Sequence, residues 1–154
     1  PAHLTRRDEW DQTIALNLTS AAAAVRAAGR VMTAGGSVVL FSSAAARVGL
    51  ANHEAIAAAK AGVIGLARAA AATYAPIGLR VNVVAPGLVR TPLAERITGN
   101  PAAERASRAM HPLGRLGEPD DVAALAAWLV EPEGAWVTGQ VFGVDGGLAT
   151  VRPR

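Results

Sequence analysis

Near the start of the chain, Trp10, Ile14, Leu18, Ala21 and Val25 recur at the spacing of one helical face. Thr5-Arg6-Arg7-Asp8 reads as a capping box with Asp where Glu is usual. Gly35-Gly36 reads as a stop, so the pattern predicts a helix over 6–33. Ser37-Val38-Val39-Leu40-Phe41 is apolar without alternation, as in a strand covered on both faces of a parallel sheet, at 37–42. A second long helix is expected over 53–75, with Asn52 as its N-cap and Pro76 and Gly78 closing it. RVNVVA, at 80–85, reads as a second buried strand. Residues 86–119 look loop-like, with a short helix at 101–109. Asp120 and Asp121 open a third helix that runs to Val130, with acids at its positive end. Gln140 to Val144 is the third strand, stopped by Gly146-Gly147.

Helices alternating with buried strands imply an α/β fold: three parallel strands in the order of the sequence, joined by right-handed crossovers. Three such strands make a small sheet, and the outer edge of the first needs cover. The 154 residues suffice for a single domain, 1–154. With 51% hydrophobic and only 4% aromatic residues, the core must be built from Ala, Val and Leu. Charged residues, at 18%, fall below the roughly 25% of ordinary soluble domains, which leaves apolar surface for a partner. The net charge of +3 comes from scattered arginines with a single lysine, Lys60, and no dense basic run points to nucleic acid. The lack of cysteine removes disulfide and thiolate chemistry. No metal-ligand spacing, membrane span or signal peptide is read, and a cytoplasmic location is expected.

Ligands of open α/β sheets bind beyond the carboxyl ends of the strands. Here those ends carry Ser42-Ser43, Pro86-Gly87 and Asp145-Gly146-Gly147. Each is ordinary turn chemistry alone, but together they mark a candidate cleft. On spacing alone, Lys60 inside the second helix could simply reach solvent. Asn17, within the apolar stripe of the first helix, could serve only as a hydrogen-bonded group that bends it.

VVLFSSAAARVG, AIAAAKAGVIGLARAAA, LRVNVVAPGLVRTPL, PLGRLGEPDDVAALAAWLV and VTGQVFGVDGG follow one another in order, after NLTS at 17–20. In this the chain resembles the C-terminal half of the short-chain dehydrogenase/reductase family from end to end. The resemblance implies the C-terminal part of a Rossmann-like doubly wound parallel sheet and NAD or NADP as cofactor of the complete protein. It also implies a small carbonyl or alcohol as substrate, and a homodimer or homotetramer through helices 6–33 and 53–75. By the same resemblance, Ser43 hydrogen-bonds the substrate oxygen. Lys60 binds the nicotinamide ribose, and Asn17 holds a relay water. Pro86, Gly87, Val89 and Thr91 lie against the nicotinamide carboxamide.

The chain departs from the family pattern in two places. Ile56 stands four residues before Lys60, where the family has its tyrosine, and isoleucine has no proton to give. No glycine-rich fingerprint occurs, so the nucleotide-binding half is expected outside these residues, and the chain alone is expected to be inactive. His53, one helical turn before Ile56 and beside Glu54, is the candidate stand-in for proton transfer. Its alternative role is that of a solvated first-turn residue. His3, His111 and Tyr74 have no better claim. Two further readings stay open beside the oxidoreductase: a non-catalytic member acting through binding or assembly, and a lyase or isomerase using His53 and Ser43.

Overall fold

In a computed structural model, which describes residues 1–152, a three-stranded parallel sheet runs β1 (Gly36–Phe41), β2 (Leu79–Pro86), β3 (Val141–Val144), in the order of the sequence. Its register pairs Val38 with Val81 and Leu40 with Val83, then Val84 with Phe142. The α/β class and the Rossmann-like parallel sheet flanked by helices hold as expected.

The first helix is not uniform. α1 (Arg7–Ile14) and α2 (Ser20–Val31) are joined by a π-helical turn over Ala15–Thr19. The extra residue of that turn rotates the face that follows it. Leu18, Ala21 and Val25 therefore reach the core, while Trp10 and Leu16 stay exposed. The cap also lies one residue later than the sequence suggests. The Glu9 carboxylate accepts the Arg6 N–H at 3.1 Å, whereas the Thr5 hydroxyl is spent on Pro1 O.

α3 (Glu54–Tyr74) buries Ala59, Val63, Ala67, Ala70 and Ala71, the last four in one core cluster with Val81 and Val83 of β2. Its cap differs from expectation: His53, not Asn52, is the N-cap residue. Asn52 instead takes a left-handed turn at φ 65°, a conformation asparagine tolerates better than most residues. The segment Glu54–Ile77 is long and apolar enough to cross a membrane by length and composition, as the core helix of a sheet protein also can be. In this fold it lies along the sheet.

α4 (Glu95–Thr98) and α5 (Pro101–Met110) follow β2, so the 86–119 stretch is more helical than it reads. Asn100 caps α5, accepting from the Ala102 and Ala103 amides. α6 (Pro119–Val130) covers the other sheet face and buries Leu129. One of its last carbonyls is taken by the sheet: Ser37 Oγ and Arg80 both donate to Leu129 O, at 2.8 and 2.9 Å. The layers are thus α2 and α3, the sheet, then α6. One expectation needs correcting here. Of the long helices expected to meet further copies, only part is free for that: in α3, Ala67, Ala70 and Ala71 face the sheet, and Ala69 and Ala72 face outward.

Candidate active site

The carboxyl end of β1 runs directly into Ser42 and Ser43. Buried Ser42 donates its hydroxyl to Lys60 O at 2.8 Å, which ties the strand end to the middle of α3. Ser43 sits half-buried at the start of a 3-10 turn over Ala44–Ala46. Its Oγ accepts the Ala45 N–H at 3.1 Å, so its own proton is left to donate elsewhere. Lys60 does not extend into solvent: its Nζ donates to Phe41 O at 3.1 Å, two residues before Ser43 in the chain. Partial burial holds the Lys60 ammonium below the usual lysine range. A hydroxyl donor and a cation are thereby fixed at one strand end.

Asn17, His53 and Ile56 come together on a second wall. With Thr5, Gln12, Thr13 and Leu16 they line an open cleft of about 400 Å³ between the first helix and the start of α3. Asn17 lies within the π-helical turn and donates its amide to Thr13 O at 3.0 Å. The bending role read from sequence and a place in this cleft therefore coexist. His53 is exposed, and its Nδ1 lies 2.7 Å from Ala51 O. A carbonyl only accepts, so Nδ1 carries a proton, and in the neutral imidazole the lone pair lies on Nε2. Ile56 is half-buried and presents only hydrocarbon to the cleft.

At the end of β2 and just beyond it, Pro86, Gly87 and Val89 are half-buried. Gly87 lines a different cleft, of about 420 Å³, with His111, Arg115 and Asp145. Val89 and Thr91 line neither cleft. Val89 forms a parallel bridge with Gly117: Gly117 N donates to Leu88 O and Arg90 N donates to Gly117 O, both at 2.9 Å. Val89's own N–H and C=O therefore point the other way, without a protein partner among the described residues. One free donor beside one free acceptor suits a carboxamide.

Three contributors escape sequence reasoning. Ser42 reads as turn punctuation. Asn82 is completely buried and uses both ends of its amide, donating to Val137 O at 2.8 Å and accepting from Gln140 N at 3.1 Å. His111 is 3% exposed and bonded at both ring nitrogens. Only the polar residue inside the apolar RVNVVA run carries a visible signal. Asp145, read as a strand-end residue, spends its carboxylate on the Gly147 and Ala149 amides.

A family model described as enoyl-(acyl carrier protein) reductase matches residues 1–149. The chain belongs to the short-chain dehydrogenase/reductase family. It is 43% identical over 154 residues to cis-4-hydroxycyclohexanecarboxylate dehydrogenase of Sinomonas cyclohexanicum, covering 98% of this chain and 61% of that protein. It is 39% identical over 155 residues to inactive 2-(S)-hydroxypropyl-CoM dehydrogenase 2 of Xanthobacter autotrophicus, covering 97% and 67%. The structure of a short-chain type dehydrogenase/reductase from Mycobacterium ulcerans superposes with a TM-score of 0.91 at 35% identity, covering 97% of this chain and 56% of that one. The fold is also that of a 4-hydroxyisoleucine dehydrogenase mutant complexed with NADH and succinate, with a TM-score of 0.93 at 24% identity, covering 99% and 64%. The chain thus spans 61% of the length of its Sinomonas relative.

Proposed function

We propose that residues 1–154 form the nicotinamide and substrate end of an NAD(P)-dependent oxidoreductase acting on a small carbonyl or alcohol. The dinucleotide-binding half then belongs to the remainder of a longer protein. The carrying observation is the fixing of Lys60 Nζ on Phe41 O beside Ser43, at the carboxyl end of a parallel strand. When bound, the cofactor supplies a hydride acceptor or donor. Ser43 donates its hydroxyl proton to the substrate oxygen, and Lys60 holds the ribose. Asn17 orients a water. Pro86, Gly87, Val89 and Thr91 receive the carboxamide, the free Val89 amide edge giving it direction. We place the protein in the cytoplasm and assign its contacts with further copies to the outer faces of the two long helices.

Proton transfer is the weak link, because Ile56 cannot perform it. His53 is the stand-in: Ala51 O fixes its tautomer and leaves Nε2 free to take or give a proton. The same Ile56 favours a second reading, a family member that binds without turnover, and one relative at 39% identity is named as inactive.

Cofactor titration of the complete protein tests the first reading. Tight binding of NAD or NADP is expected, and Lys60→Met should weaken it about tenfold or more by removing a charge-assisted contact. A complete protein that binds neither nucleotide overturns the proposal. The 154-residue chain alone should show no micromolar affinity by calorimetry, since only one end of the site is present.

A further inference from the structure

We propose that His111 is a positioning residue, acting as a neutral imidazole that clamps the Gly87-Leu88 turn beyond β2 onto the end of α5. The significance of the turn rests on reading Pro86–Thr91 as the nicotinamide segment. The clamp itself rests on geometry alone.

His111 is buried, and its Nδ1 lies 2.7 Å from Ser107 O. That carbonyl can only accept, so Nδ1 carries the proton. Its Nε2 lies 3.1 Å from Leu88 N, and an amide N–H can only donate, so Nε2 must present a lone pair. Both bonds exist together in one protonation state and one tautomer.

The ring also needs its neighbour to be glycine. A Cβ on Gly87 would stand 2.6 Å from His111 Nε2 and 3.0 Å from Asp145 Cα. The imidazole therefore lies against bare backbone. The turn is anchored at three points: Gly87 N on Val144 O, Leu88 O on Gly117 N, and Leu88 N on the ring. Of these, only the last ends on a side chain that can change its protonation state.

Other charges around the ring are already engaged. Asp145, from the end of β3, accepts from the Gly147 and Ala149 amides. Arg115, from the loop before α6, pairs with Asp121 of α6. Arg90, from the loop after β2, pairs with Glu104 of α5 and Glu118. Arg108 of α5 is exposed. Protonation would set an N–H of the ring against the Leu88 N–H. The bond must then open, and the turn preceding Val89 loosens. A ligand read by Val89 would lose affinity, showing as a rise in KM rather than a fall in kcat.

Amide exchange and ring-nitrogen NMR on the full 154-residue chain test this. At about pH 8, His111 should be the Nδ1–H tautomer and the Leu88 amide protected. At about pH 5, Leu88 should exchange about tenfold faster after correction for intrinsic rates, while the Val83 amide of β2 keeps its protection. His111→Gln offers an acceptor without a titrating ring and should protect Leu88 equally at both pH values. His111→Phe should leave it unprotected at both. A His111 ring found as the Nε2–H tautomer overturns the proposal, as does Leu88 protection that is unchanged across this range in the unmodified chain. Nicotinamide mononucleotide added at millimolar concentration should shift the Val89 amide more at the higher pH. If Leu88 behaves as stated and the mononucleotide shifts nothing at either pH, the clamp stands and the nicotinamide assignment falls.

Discussion

Asn82 has no freedom: it is fully buried in β2, and its amide satisfies Val137 O on one side and Gln140 N on the other. Replacing it with leucine would keep apolar volume in the sheet but leave the Gln140 amide without its acceptor and Val137 O with only Arg80. Asn82→Leu should therefore lower unfolding free energy by about 2–4 kcal/mol, measured by urea titration. Ile56 makes the opposite case, a half-buried residue that offers the cleft only hydrocarbon. In the complete protein, Ile56→Tyr should raise carbonyl reduction about a hundredfold, the scale of a well-placed general acid. Brisk turnover by the unmodified protein would instead move the role elsewhere, and loss of that turnover in His53→Ala would identify His53. The placement of Ser43 and Lys60 at one strand end follows from residues at fixed spacing in the sequence. Asn82 and His111 were opaque because their work depends on partners 55 and 23 residues away, which no local pattern encodes.

Elements were easier to read than their ends. β2, the one strand buried along most of its length, announces itself by a run that from Val81 is apolar but for Asn82, and α3 ends where Pro76 and Gly78 require. The π-helical turn at Ala15–Thr19 was hidden because its residues are ordinary helix formers. Tertiary contact selects it: Leu18 must reach α3, where a Cβ on Gly62 would meet Leu18 Cδ2 at 2.7 Å. The start of α6 shows how an exposed cap can be tuned by charge. Asp121 accepts from Arg115 and from the Glu118 N–H at 2.8 Å. Its carboxyl is held far below the usual range, chiefly by the Arg115 hydrogen bond and then by that amide. A depressed folded value means the contribution is present above the unfolded value of about 4 and is lost as pH falls through the folded one. The site is solvent-exposed, so the effect is small. Asp121→Asn should give a slightly lower Tm at neutral pH, with the gap to the parent closing in strong acid. A gap that widens on acidification would contradict this assignment.

At the scale of the whole molecule, the fold leaves much apolar surface uncovered. β1 pairs only with β2 among the described residues, and Phe41 at its end is 46% exposed. Trp136 is 99% exposed beside Val130, which is itself half exposed. Such surface suits further chain on the β1 side and further copies on the helical side. The helical side is the more specific case. Outward-facing residues of α3 include Ala58, Ala61, Gly65, Ala69 and Ala72, a strip of small side chains, and an added Cβ on Gly65 would touch nothing within 4 Å. On α2, Ala23 and Ala24 are likewise exposed. Small residues let helices approach closely, and a strip that repeats along a helix can meet its own copy across a two-fold axis. Helix–sheet burial cannot explain this strip, because Ala59, Val63, Ala67, Ala70 and Ala71 already meet that need on the opposite face. Ala69 therefore separates association from folding: it is exposed in the single chain, so a long charged side chain there fits a monomer and blocks close helix contact. Light scattering at high micromolar concentration should show a dimer or larger species for the unmodified chain and a monomer for Ala69→Arg, with unchanged helix content by circular dichroism. Ala71→Arg, which points into the sheet, should instead lose the fold. An unmodified chain that stays monomeric at that concentration would remove the helical interface from consideration.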